Sequence, residues 1–160
     1  MKGEIKKETN KKKIDSARSS QGKKNRAAGR RFEAKVRENL EGMGWIVNKW
    51  VNNIDYEKNK IVPAKRKYNP FLKALSIGTG FPDFVCFKRD ENGKYEVIGL
   101  EVKSNGYLDQ SEKGMCLWLI ENKVFSRILI AKKNMKARKT EIEYIDFSKK
   151  YNTKQQNAEQ

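Results

Sequence analysis

Four residues of this chain have types and spacing that could do chemistry: Pro82, Asp83, Glu101 and Lys103. The first pair leads into an apolar run, Phe84-Val-Cys-Phe87. The second pair closes another, Tyr95-Glu-Val-Ile-Gly-Leu-Glu-Val-Lys103, and Asp90-Glu-Asn-Gly93 between the runs is a hairpin signal. Alternate side chains of a strand share a face, so Glu101 and Lys103 project to one side, roughly 6.5–7 Å apart. Where Asp83 points depends on the turn. A two-residue loop, Asn92-Gly93, would set Asp83 opposite Val102 and away from Glu101. A three-residue loop, Glu91-Asn92-Gly93 with Gly93 in the left-handed region, sets Asp83 opposite Glu101 and Val85 opposite Gly99. Both registers suit the residues. The chemistry favours the second, because two facing carboxylates repel unless a cation sits between them.

Carboxylates from Asp83 and Glu101, the backbone carbonyl of Val102 and several waters would form an all-oxygen octahedral site suited to Mg²⁺ or Mn²⁺. Beside it, the Lys103 ammonium could orient or help deprotonate a water and stabilise charge developing on a phosphate. Glu-x-Lys is also a common pattern on exposed strands. Here, however, the run Val97-Ile-Gly-Leu100 is too apolar for a solvent-facing edge, so Glu101 and Lys103 end a buried strand, where charges need a partner or a metal.

The rest of the composition narrows the chemistry. The 160 residues contain no histidine, which excludes Ser-His-Asp and Cys-His catalysis, His-ligated zinc and histidine-based nuclease sites. Thirty-six Lys and Arg against 20 Asp and Glu give a formal charge of +16, which supplies affinity for phosphates. Cys86 and Cys116 lie in apolar stretches without CxxC spacing and read as reduced core residues. The longest apolar runs, such as Met115-Cys-Leu-Trp-Leu-Ile120, are too short to span a bilayer, and the basic start lacks the apolar stretch of a secretory signal, so the expected location is cytoplasmic.

Several elements must position the four residues. Residues 1–27 form a basic arm, expected to lack order because it has no aromatic residue and few aliphatic ones; it is either a solvated tail or a segment that lies on phosphates. The domain proper is expected over 28–148. Ala28, Phe32, Val36, Leu40 and Met43 recur at helical spacing, and Gly42 and Gly44 supply a stop, which predicts a helix over 27–43. Trp45–Val51 reads as a strand. Residues 52–80 read as an irregular basic loop or insertion carrying Lys65-Arg66-Lys67-Tyr68 and Lys73. After the hairpin, Asp109 caps a second helix with Glu112 at its third position, and Lys123 ends it. Ile128–Ala131 and Glu141–Ile145 are two further strands, and 149–160 is a polar tail. The order α-β-loop-β-β-α-β-β predicts an α/β fold, a mixed sheet flanked by helices.

With these elements in place, Gly80-Phe-Pro-Asp83 followed by Leu-Glu-Val-Lys103 resembles the core motif of the PD-(D/E)xK nucleases. Arg31-Phe-Glu33 on the first helix resembles the archaeal Holliday junction resolvase and VRR-NUC branches. The resemblance covers roughly residues 28–132 and implies a restriction-endonuclease-like core of α-β-β-β-α-β order. It makes Asp83 and Glu101 metal ligands, Lys103 the catalytic lysine and Glu33 a further acid reaching the site. From the sequence alone, Glu33 could equally pair with Arg30 or Arg37, though its place at the border of the apolar stripe lets it face a site beside the sheet. Gln110 and Lys113 stand where related nucleases place a polar contact to the phosphate or the lysine, and Gln110 also suits a plain helix start. The insertion at 52–80 is longer and more basic than the resolvase branch has.

The resulting expectation is a divalent-metal-dependent endonuclease acting on branched or duplex DNA, selective for structure rather than sequence. Arg30, Arg31, Lys65, Arg66, Lys67, Tyr68, Lys73, Gln110 and Lys113 are the expected DNA contacts. By the resemblance, a homodimer is expected. No small-molecule cofactor and no membrane partner are expected. The alternative is a nucleic-acid-binding protein of the same fold without activity.

Overall fold

The computed structural model describes residues 2–65, 67–69, 74–76, 80–136 and 139–151. The chain divides into two compact units, Met1–Lys35 and Val36–Gln160. Helix α1 spans Lys2–Gly42, so its first 34 residues make up the described part of the first unit. The helix expected over 27–43 is therefore only the end of a longer one, and the arm expected to lack order is helical. The physical reason is propensity: Lys, Arg, Glu, Gln and Ala dominate the segment and no proline interrupts it. Side-chain pairs such as Gln21 Nε2 to Asn25 Oδ1, 2.9 Å, add to it.

The second unit begins with the last turns of α1. Val36 and Leu40, one turn apart, are buried. Gly44, at φ +83°, redirects the chain into β1, Ile46–Lys49, shorter than the expected strand because its ladder with β6 ends where Lys49 meets Phe84. The described residues of the segment 52–80 are not irregular as expected. Strands β2 (Asn52–Asp55) and β3 (Lys60–Pro63) form one antiparallel ribbon, and β4 (Lys67–Asn69) and β5 (Ala74–Ser76) form another. Ile54 and Ile61 face each other across the first ribbon, and Asn59 takes the positive φ that its turn requires. Short runs broken by Pro63 and Pro70 hide that pairing from a periodicity reading.

Strands β6 (Phe84–Arg89) and β7 (Tyr95–Val102) follow as the expected hairpin. Helix α2, Gln110–Glu121, crosses to β8, Arg127–Lys136, which pairs parallel with β7. Strand β9, Lys139–Asp146, pairs antiparallel with β8, and a short helix α3, Phe147–Tyr151, takes the first residues of the expected tail because the Phe147 ring is needed in the core. The sheet order is β1-β6-β7-β8-β9, a five-stranded mixed sheet with helices, so the chain is an α/β protein.

β7 lies at the centre of this sheet, and four consecutive residues, Ile98 to Glu101, are buried, as its unbroken apolar run demands. Cys116 and Leu119 of α2 pack with Phe81, Leu108, Phe125, Ile128, Ile130 and Phe147 in one cluster. Both cysteines are free and buried, and burial pushes the Cys86 thiol up to about 12. Among the described residues no helix is long and apolar enough to cross a membrane.

Candidate active site

The β6–β7 turn decides the site. Arg89 pairs with Tyr95, and the Asp90 N–H donates to the Lys94 carbonyl at 2.7 Å, which leaves Glu91-Asn92-Gly93 as the loop with Gly93 at φ +80°. The three-residue register thus holds, with Val85 opposite Gly99 and Phe84 opposite Leu100. One step further, at the open end of the hairpin, Asp83 meets Glu101. The Asp83 N–H donates to Glu101 Oε2 at 3.1 Å, and the Val102 N–H donates to Asp83 Oδ2 at 3.0 Å.

Local geometry forces Asp83 into this place. A Cβ on Gly80 would lie 2.5 Å from the Trp50 carbonyl oxygen and 2.6 Å from the Asn52 nitrogen, so only glycine lets the chain pass between them. The Phe81 N–H then donates to the Asn52 carbonyl, and the Trp50 N–H donates to the Asp83 carbonyl at 3.2 Å. Phe81 and Pro82 are buried behind Asp83, across a cis peptide.

Glu101 is 6% exposed. Burial pushes its carboxyl up to about 8; the charges of Asp83 and Glu112 add to this, while Lys103 and the Asp83 N–H oppose it. Lys103 Nζ lies 3.4 Å from Glu101 Oε1 and also donates to Glu112 Oε1. Burial alone would lower the Lys103 ammonium, but the Glu112 hydrogen bond and the two carboxylate charges outweigh it and leave the lysine raised. Glu112 is held in turn by the capping box: its Oε2 accepts from the Asp109 N–H at 2.9 Å, and its own N–H donates to Asp109 Oδ1 at 2.8 Å. From β1, Lys49 Nζ approaches Asp83 Oδ1 to 3.9 Å and sits over the Phe84 ring at 4.2 Å.

Sequence reasoning read Glu112 as a helix cap only and passed over Lys49. Only Glu112 carried a signal: it follows Lys103 through one short turn to a helix start. Lys49 comes beside Phe84 and Asp83 only through the β1–β6 pairing.

The other expected residues are placed as follows. Arg30 and Arg31 are exposed and Glu33 half-buried on α1 within the first unit, while the geometry above is formed by second-unit residues. Lys65 is exposed after β3, Lys67 and Tyr68 lie in β4 opposite Ser76 and Leu75, and Arg66 and Lys73 lie outside the described residues. Gln110 is exposed in the first turn of α2, and the Lys113 ammonium sits over the Tyr151 ring at 5.1 Å.

Among the described residues no three His, Cys, Asp or Glu side chains form a ready metal cage. The donor set at the strand ends nevertheless fits a hard divalent ion. Asp83, Glu101 and Glu112 share the ammonium groups of Lys49 and Lys103, three acids to two ammonium groups once Glu101 gives up its proton, and the available donors are oxygens. Asp83 and Glu101, with the Val102 carbonyl between Glu101 and Lys103, are the groups that would hold it. No family model, curated protein or solved structure matches the chain.

Proposed function

We propose that the chain is a divalent-metal-dependent DNA endonuclease of the PD-(D/E)xK kind, with a restriction-endonuclease-like core, that cuts branched or duplex DNA by structure rather than by sequence. The observation that carries this reading is the cross-strand meeting of Asp83 with Glu101, two residues from Lys103, at the open end of a buried hairpin. The β7-α2-β8 crossover and the sheet order support the fold assignment.

Mg²⁺ or Mn²⁺ held there would supply Lewis-acid activation of the scissile phosphate and of the attacking water. The chain's own residues do the rest. The backbone N–H groups of Asp83 and Val102 aim the two carboxylates, so their geometry is set before substrate arrives. The Lys103 ammonium orients the water and offsets the charge that grows on the phosphate oxygens as the bond to the leaving sugar oxygen breaks. Lys49, half-exposed beside Asp83, is placed to hold a neighbouring phosphate. The net charge of +16 adds sequence-independent affinity, and a homodimer would let two such sites act on opposite strands.

Asp83→Ala and Glu101→Ala are expected to abolish Mg²⁺-dependent cutting while leaving DNA binding intact or tighter. Wild-type cutting by both variants would remove the proposed site.

A further inference from the structure

The loop that follows Lys103 holds an aromatic side chain in solvent. Gly106, at φ +72°, is buried and its N–H donates to the Lys103 carbonyl at 2.8 Å; Leu108 is buried on the other side. Between them Tyr107 is 70% exposed. Its N–H donates to Asn105 Oδ1 at 3.1 Å, and Lys150 Nζ donates to the Gly106 carbonyl at 2.9 Å. The backbone is thus fixed on both flanks of a ring that contributes little burial to the fold. A tyrosine on a held backbone has only its two side-chain torsions left to lose when something packs on it.

Cations and rings alternate from this point. Lys150 Nζ lies 5.0 Å from the centre of the Tyr107 ring and 5.3 Å from that of Tyr151, and Lys113 Nζ lies 5.1 Å from Tyr151. Tyr151 leans on the buried Phe147, 5.0 Å between ring centres. The row therefore joins a base-sized apolar face to ammonium groups that can neutralise phosphates, on a chain of +16. Tyr107 follows Lys103 by four residues, a chain length of at most about 14 Å.

We infer that Tyr107, with Lys150, Tyr151 and Lys113, is a stacking platform for an unpaired base of single-stranded DNA, selecting substrates with a single-stranded segment beside the scissile bond. Bases within a duplex are already stacked on both faces, so an exposed ring discriminates in favour of unpaired ones. The inference rests on the nuclease reading for its assignment to DNA and adds the substrate feature recognised.

The test is fluorescence anisotropy of a labelled thymidine 12-mer, a 12-base-pair duplex and a uridine 12-mer, in EDTA, with the full chain as wild type, Tyr107→Ala and Tyr107→Phe. The expected result is a fall of about 5- to 150-fold in the single-strand to duplex affinity ratio for Tyr107→Ala, with the ratio kept in Tyr107→Phe. An unchanged ratio in Tyr107→Ala, or no binding of the thymidine 12-mer by wild type, overturns the platform. Binding of the uridine 12-mer more than about tenfold tighter than the thymidine 12-mer overturns the assignment to DNA. The nuclease reading is scored separately, by metal-dependent cutting: a wild type that shows the Tyr107 effect without cutting keeps the platform and loses the nuclease.

Discussion

Asp83 and Glu101 hold each other's strands. The Asp83 backbone donates to the Glu101 carboxylate at 3.1 Å, while the Asp83 carboxylate accepts from the backbone of Val102 at 3.0 Å. Each acid is therefore aimed by a hydrogen bond that depends on the register of the hairpin, and a one-residue slip would send them to opposite faces. Each acid faces a lysine, Asp83 with Lys49 and Glu101 with Lys103, and beyond those pairs the two acids are themselves brought together, one of them buried.

The burial of Glu101 has a consequence for stability. Its folded carboxyl titrates near 8 against an ordinary 4.5, so without metal the folded protein holds this proton more tightly than the unfolded chain. Stability from this group is full below about pH 4.5 and is lost as pH rises through about 8, on the order of a few kcal/mol. In EDTA, the urea midpoint of the wild type is expected to fall from pH 5 to pH 9 more steeply than that of Glu101→Gln, and Mg²⁺ is expected to raise the wild-type midpoint more at pH 9 than at pH 5. Parallel pH profiles for wild type and variant would contradict the burial argument.

Glu112 carries two bonds that can be separated. A glutamine keeps the capping acceptor for the Asp109 N–H and removes the charge that holds Lys103. Glu112→Gln is expected to keep the helix cap while slowing cleavage at least about tenfold, since outer partners that orient a working group are costly to remove. Asp109→Ala should do the reverse in part, losing about 1 kcal/mol of stability through the cap. Equal cleavage rates in Glu112→Gln and wild type would leave Glu112 as a cap alone.

The hairpin register was legible because Gly93 could take a positive φ and Asp90 could close a three-residue loop; the chemistry of facing carboxylates then chose between two permitted turns. The capping box of α2 was legible for the same reason, a local pattern with a local cause. The pairing within 52–80 was not, since its strands are three or four residues long and their partners lie beyond prolines and turns. The length of α1 was missed because the apolar stripe ends near Ala28, and propensity without an apolar face leaves no periodic mark. Lys49 was invisible for a different reason: its neighbour Asp83 is brought to it by sheet pairing across more than thirty residues.

Lys49 offers a separate check on phosphate contact. Lys49→Ala is expected to raise KM for DNA with a smaller effect on kcat, and to reduce the slope of log affinity against log salt by about 1. An unchanged slope would confine Lys49 to its contacts with Asp83 and Phe84.

The most direct test of the central claim is cleavage of a labelled panel of single-stranded, duplex, flap and four-way-junction DNA with Mg²⁺, Mn²⁺ or EDTA, wild type beside Asp83→Asn. The account predicts metal-dependent cutting by the wild type, strongest on substrates with an unpaired segment, and its loss in Asp83→Asn with DNA binding kept. Tight binding by the wild type without cutting under either metal would contradict it.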